Sequence, residues 1–330
     1  MNQQKILIRL PNWLGDMVMS TAFVQAVAQQ YPGSSIDVIA KKDIAVLLDY
    51  FPSIDKRYFF SKNEYEGLSG AWKFGKQIAA TDNYDLFFCL PESFSSAVMA
   101  KATGAKKIIG YKKEWRSLVL SNSYHKKQGL HRVEEYIDLL SQFTNNVVNI
   151  PAVRLSVDKV DKVDAICINI NSEASSRRLP KEKAISIISK IRKEIPQQII
   201  LIGGSKEKEF VEEVYNSLYD KGNIENLAGS SSLPQLIGLL SRCKLLLTTD
   251  SGPAHLANAL GTATIVLFGA GNENNTAPYN NDQRVIIRLG KLPCEPCVKN
   301  TCKLYGVPEC LLQLDENTII ETVKQFTQSR

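Results

Sequence analysis

Thr248-Thr249-Asp250-Ser251-Gly252-Pro253-Ala254-His255 gathers the groups that a phosphorylated ligand needs. Gly252 lets a ligand approach the backbone, Ser251 offers a hydroxyl, and Asp250 can accept from a sugar hydroxyl or cap a helix. The apolar run 244–247 before them reads as a buried strand. Pro253 suits the start of a helix, Ala254–Leu260, which Gly261 closes. A strand, a tight turn and a helix N-terminus together present bare N–H groups and the positive end of a dipole to an anion. The plain alternative is a capped helix after a strand, with His255 merely packed. The ligand reading outweighs it because the next strand, Thr264–Phe268, ends in Gly269-Ala270-Gly271. The loops then fall where doubly wound sheets bind nucleotides and sugar phosphates.

A second candidate is Pro11-Asn12-Trp13-Leu14-Gly15-Asp16, at the carboxyl end of the first strand. Gly15 is its one glycine, so the dinucleotide fingerprint is absent. Asp16 is placed either to cap the following helix or to act as a general base, and position alone leaves the two readings even. Further on, Arg177-Arg178-Leu179-Pro180 precedes a helix and offers a guanidinium for a phosphate, or simply a surface pair.

Between Lys101 and Arg132, nine basic residues face one acid, Glu114, a local balance of +8 against +6 for the whole chain. Lys112, Lys113 and Arg116 lie in this segment with Tyr111 and Trp115. So one-sided a segment fits a polyanion: nucleic acid, an anionic lipid surface or a phosphorylated glycolipid. No nucleic-acid-binding signature accompanies it, which disfavours the first. Cys294, Cys297, Cys302 and Cys310 resemble a metal knuckle, but their spacing is irregular, and reduced thiols packed as small apolar groups are the preferred reading.

The elements that must position these residues alternate. Strands are expected at 5–10, 36–40, 85–90 and 107–110, and helices at 17–30, 43–50, 70–80, 94–102 and 131–143. After a polar linker, Pro151–Asp164, strands follow at 165–170, 198–202, 244–247 and 264–268. Helices are expected at 181–194, 207–219, 233–241, 254–260 and 315–328. This alternation predicts α/β architecture: two Rossmann-like domains with doubly wound parallel sheets, 1–155 and 156–330, facing across a cleft. The last helix is a candidate to return to the first domain.

With 330 residues, 44% hydrophobic and 22% charged, the chain has the composition of a globular protein. The first ten residues lack a secretory signal and no stretch is long and apolar enough for a membrane span. A cytoplasmic protein, at most peripheral to a membrane, with its seven cysteines reduced, is the expectation.

Assembled, the motifs resemble the family 9 glycosyltransferases over nearly the whole chain. The likeness rests on 11–20, Leu90-Pro91-Glu92-Ser93-Phe94-Ser95-Ser96-Ala97, His131-Arg132-Val133-Glu134-Glu135-Tyr136, Asn226-Leu227-Ala228-Gly229 and 248–255. It implies the GT-B fold, with the acceptor on the N-terminal domain and the nucleotide-sugar on the C-terminal one. It further implies an inverting, metal-independent and cofactor-free transfer of heptose from ADP-heptose to the phosphorylated inner core of lipopolysaccharide, at the cytoplasmic face of the inner membrane. Asp16 becomes the expected base. Arg177, Thr249, Asp250, Ser251, Gly252 and His255 become the expected donor contacts, and Asn12, Trp13, Lys112, Lys113 and Arg116 the expected acceptor contacts. Two departures stand out: Asn171-Ser172 replaces a Gly-Ala turn, and Arg177-Arg178-Leu179-Pro180 replaces a Lys-Arg-Trp-Pro pattern. A family 9 enzyme with another nucleotide-sugar, a nucleotide-sugar epimerase and a sugar-nucleotide-binding protein are the alternatives.

Overall fold

Strong apolar runs make the buried strands of the chain; the helices between them are amphipathic, as in Gly67–Ala79 and Leu233–Arg242, or buried nearly all round, as in Leu14–Gln30 and Gly252–Ala259. A computed structural model describes residues 3–158 and 160–328; Lys159, within the expected linker, lies outside the described residues. The chain divides into two units, Met1–Ser156 and Val157–Arg330.

In the first unit the strands are β1 (Lys5–Arg9), β2 (Ser35–Lys41), β3 (Arg57–Phe60), β4 (Leu86–Cys89), β5 (Lys107–Tyr111) and β6 (Asn122–Tyr124). Its helices are α1 (Leu14–Gln30), α2 (Gly67–Ala79), α3 (Phe94–Ala102) and α4 (Arg132–Thr144). The strands are all parallel in the order β3-β2-β1-β4-β5-β6. The chain therefore winds one way from β1 and the other way from β4, and the crevice of such a sheet opens between the loops that leave those two strands. One face packs Leu7, Phe87 and Cys89 against Phe74 and Ile78 of α2 and Ala97 and Met99 of α3.

The second unit repeats this plan with β7 (Val163–Asn169), β8 (Gln198–Leu201), β9 (Ile224–Asn226), β10 (Cys243–Thr249), β11 (Ala263–Phe268) and β12 (Arg284–Arg288). Its helices are α5 (Lys181–Glu194), α6 (Lys208–Ser217), α7 (Leu233–Arg242), α8 (Gly252–Ala259), α9 (Glu273–Thr276), α10 (Glu309–Leu312) and α11 (Glu316–Gln328). The order β12-β11-β10-β7-β8-β9 places the switch between β7 and β10. Ile319, Ile320 and Val323 of α11 join the core formed by α5 and the strands of this same unit. The expected doubly wound α/β architecture is thus present in both units.

Several expected boundaries move by two or three residues, the expected helix at 43–50 is a 3₁₀ helix, Lys42–Tyr50, and two of the shifts bear on the site or the division into units. Helix α1 begins at Leu14, three residues earlier than expected, because Trp13 caps it through backbone geometry with no side-chain cap bond. Part of the expected linker belongs to the first unit: Val153 and Leu155 are buried, and Arg154 N–H donates to Thr21 Oγ1 at 3.2 Å.

Candidate functional site

In the second unit the switch point is a polar knot between the ends of β7 and β10. Asn169 is opposite Thr248 in the register and buried. Its Nδ2 donates to Thr248 Oγ1 at 3.0 Å, to Ser251 Oγ at 2.9 Å and to Asn171 O at 3.1 Å. The Thr249 hydroxyl donates to the Asn171 carbonyl, and Ser172 Oγ donates to the Asp250 carbonyl at 3.1 Å. The Asn171-Ser172 departure is therefore a clasp between the two loops. Thr249, fully buried with its hydroxyl committed, frames the site and presents no free group to a ligand. Asn171 is 3% exposed, and its Oδ1 has no hydrogen-bond partner among the described residues. Polar residues directly after a buried apolar strand were the available signal for Asn169 and Asn171.

Asp250 is 4% exposed, and its Oδ2 accepts from Arg177 Nη1 at 3.2 Å. Burial raises its carboxyl above the usual range, while Arg177 and then Arg288 oppose the rise. Gly271 makes room for this carboxylate: a Cβ there would lie 2.1 Å from Asp250 Oδ2. Arg288 fixes the Gly271 loop by donating to the carbonyls of Gly269 and Gly271 and pairing with Glu273 Oε1 at 2.9 Å. Ser251 occupies the cap position of α8, with no side-chain cap bond, and Gly252 and Pro253 open the helix. Arg177 keeps a third of its side chain exposed beside this helix start. His255 is buried one turn into α8. Leu179 belongs to the hydrophobic core, so the missing aromatic of that motif is a packing change.

In the first unit Asp16 is the third residue of α1. It is not the cap residue, which corrects the capping alternative. Its side chain is 24% exposed, and Oδ1 lies 3.5 Å from Arg132 Nε. Burial raises its carboxyl above the ordinary range, with Arg132 and Lys126 pulling the other way. Arg132 also pairs with Glu135 at 2.6 Å, Glu135 with Lys126 at 3.0 Å, Lys126 with Glu92 at 2.8 Å and Glu92 with Lys113 at 3.9 Å. An alternating ladder of charges thus joins the first turns of α1 and α4 to the loops after β4, β5 and β6.

This ladder revises the basic segment. Acids outside Lys101–Arg132 neutralise much of it: Lys106 pairs with Asp85 and Lys127 with Asp138 as well. A count along the chain cannot see these partners. Lys112 Nζ lies 3.3 Å from His125 Nε2 and Lys113 is half exposed, so both remain on the surface. Arg116 is a correction. It is 1% exposed, donating to Tyr111 O at 3.0 Å and to Cys89 Sγ at 3.3 Å, and so belongs to the scaffold and not to the acceptor contacts. Trp13 is 64% exposed, and Asn12 Oδ1 accepts from the buried Arg9 at 2.6 Å.

Cys294, Cys297, Cys302 and Cys310 all line one small cavity with Ser176, Leu292 and Tyr305. Among the described residues no three Cys, His, Asp or Glu side chains are arranged to hold a metal ion. Burial pushes the Cys310 thiol up to about 11.

Each unit is Rossmann-like, one with an arginine–aspartate pair beside a helix start and the other with a partly buried carboxylate at its switch point. Residues 71–307 match glycosyltransferase family 9 (heptosyltransferase), and the chain belongs to that family. It is a heptosyl-transferring enzyme, which sets aside the epimerase and binding-protein readings. It is 24% identical to lipooligosaccharide heptosyltransferase 2 of Campylobacter jejuni over 98% of this chain and 99% of that one. It shares its fold with the ADP-heptose lps heptosyltransferase II of Escherichia coli, with a TM-score of 0.82, 23% identity, and coverage of 98% of this chain and 99% of that one. The family 9 glycosyl transferase of Veillonella parvula also matches, with a TM-score of 0.85, 19% identity, and coverage of 99% and 98%. Among the described residues no helix is long and apolar enough to cross a membrane.

Proposed function

We propose that the chain transfers heptose from ADP-heptose to the phosphorylated inner core of lipopolysaccharide or lipooligosaccharide, by a single inverting displacement without a metal. The observation that carries the reading is Asp16: a carboxylate in the first turn of α1, at the switch point of its sheet, raised by burial and still partly open to solvent. The names of the Campylobacter and Escherichia relatives supply the sugar, the nucleotide and the acceptor class.

In this reading Asp16 takes the proton from an acceptor hydroxyl as that oxygen attacks the anomeric carbon. The bond to the diphosphate breaks, and the leaving charge falls on Arg177 and the start of α8. Arg177 is released from Asp250 to do this, and Asp250, Ser251 and Gly252 hold the sugar and diphosphate from the loop. Asn171 Oδ1 is open to a donor hydroxyl or amine of the nucleotide-sugar; a buried oxygen left without a partner costs roughly 1–3 kcal/mol, which a ligand would recover. Asn12, Trp13, Lys112 and Lys113 receive the acceptor. The protein works at the cytoplasmic face of the inner membrane, bound peripherally.

The test is incubation of purified protein with deacylated core acceptor and a panel of nucleotide-sugars, in EDTA. The expected result is ADP release dependent on acceptor, and a product whose anomeric configuration by NMR is opposite to that of the donor. Retained configuration, loss of activity in EDTA, or preference for another nucleotide-sugar would each contradict the corresponding part of the reading.

A further inference from the structure

One feature near the proposed acceptor face has no part in that chemistry. After β5 the chain makes a single 3₁₀ turn, Glu114–Leu118. Trp115 and Leu118 on this turn are 76% and 81% exposed, while Arg116 between them is 1% exposed. Side chains three residues apart eclipse on a 3₁₀ turn, so the Trp and the Leu share one side. Water-exposed large apolar pairs are unfavourable, and a surface loop could ordinarily fold them inward.

This loop is held against doing so. The Arg116 guanidinium donates to Tyr111 O and Cys89 Sγ beneath the turn, and its carbonyl accepts from the N–H groups of Val119 and Leu120 at 3.0 and 3.2 Å. Gly110 leaves space for that guanidinium: a Cβ there would lie 3.1 Å from Arg116 Nη2. Glu114 adopts a φ of 47°, in the left-handed region that non-glycine residues rarely enter. A buried cation and a strained residue thus hold two apolar side chains out in water.

We propose that Trp115 and Leu118 form a wedge that seats the enzyme in the surface of an anionic bilayer. The inference rests on the reading that the acceptor is a membrane glycolipid. Leu118 enters the acyl boundary, and Trp115 lies at the headgroup level where an amphipathic ring is favoured. Lys112 and Lys113, exposed immediately before the turn, meet the anionic headgroups. The same lysines argue against a second copy of the chain as occupant, since a two-fold contact through this patch would oppose like charges. The wedge would then hold the acceptor face against the surface from which the substrate is drawn.

The experiment uses the full chain and the double variant Trp115→Ala/Leu118→Ser, with vesicles of phosphatidylcholine alone or mixed with phosphatidylglycerol. Wild type is expected to sediment with the mixed vesicles, with a blue shift in tryptophan emission, and only weakly with phosphatidylcholine. The double variant should melt as wild type does and bind the mixed vesicles at least about tenfold more weakly. Its turnover of deacylated, soluble acceptor should be unchanged, while its apparent KM for acceptor embedded in vesicles rises. Equal vesicle binding by the two proteins would overturn the proposal, as would a wild-type dimer in solution that the double substitution dissolves. Failure of both proteins to transfer heptose at all would sink the functional reading, with vesicle binding still deciding the wedge.

Discussion

Asp16 follows β1 and Asp250 follows β10, and burial raises the carboxyl of each above its usual range. Their surroundings then separate them. Asp250 is nearly sealed against Gly271 and bound directly to Arg177, so it holds a cation in place. Asp16 keeps an open side and faces Arg132 at the longer distance of 3.5 Å. A base must be ionised to accept a proton, so turnover should fall as pH drops through the raised Asp16 value. Arg132 pulls that value down, and its removal must let it rise further. Arg132→Gln is therefore expected to move the acid limb of the pH–rate profile to higher pH; an unmoved limb would mean that some other group titrates. On the donor side, Arg177→Ala should cost roughly ten- to hundredfold in turnover, because a charge-assisted hydrogen bond to phosphate contributes about 1.5–3 kcal/mol. Arg177→Lys should retain substantial activity. An Arg177→Ala enzyme of wild-type activity would shift the role to Arg178 or Lys181.

The helices and central strands carry strong signals, and the edges do not. β3, β6, β9 and β12 are three to five residues long and, except for single buried positions, lie partly open at the sheet edges, so no apolar run longer than three residues and no clean alternation marks them. The start of α1 was hidden for a related reason: Trp13 and Gly15 are poor helix-start signals, and the surrounding fold supplies what local sequence does not. The strand, turn and helix start around Asp250 were legible because one short segment builds them. The Asn169–Thr248 knot, the charge ladder and the burial of Arg116 were not, because each joins residues far apart in the chain. Attachment of α11 shows the same logic. Burial alone would raise Glu316, yet Lys190, Ser186 and Lys183 hold its carboxyl at about 2. Lys183 also donates to Leu314 O at 2.6 Å, tying α5 to the start of α11. A carboxyl held below its unfolded value stabilises the fold above the ordinary carboxylate range and loses that contribution as pH falls toward about 2. Glu316→Gln should therefore lower the melting temperature at neutral pH, by on the order of 1–2 kcal/mol of stability, with the difference shrinking in acid. Equal melting curves at neutral pH would show that apolar packing by Ile319, Ile320 and Val323 holds α11 unaided.

The chain as a whole uses one topology twice, with the strand order reversing between β1 and β4 in one unit and between β7 and β10 in the other. The groups at the two reversals are chemically unlike: a carboxylate among paired charges in the first, an arginine bound to a buried aspartate beside a helix start in the second. In the proposed division of labour Asp16 is the base and the second unit holds the donor. Asp16→Asn tests it most directly, since it removes the proton acceptor at almost constant size. Turnover at saturating acceptor is to be measured alongside a melting curve and a calorimetric titration of ADP. Turnover should fall by roughly 10²–10⁴, the usual contribution of a positioned base, with ADP affinity unchanged. Because burial raises the Asp16 carboxyl, its ionised form is disfavoured in the fold, so the variant should melt no lower than wild type at neutral pH. A folded Asp16→Asn protein that binds ADP and turns over within about threefold of wild type, less than ~1 kcal/mol of barrier, would contradict this role for Asp16.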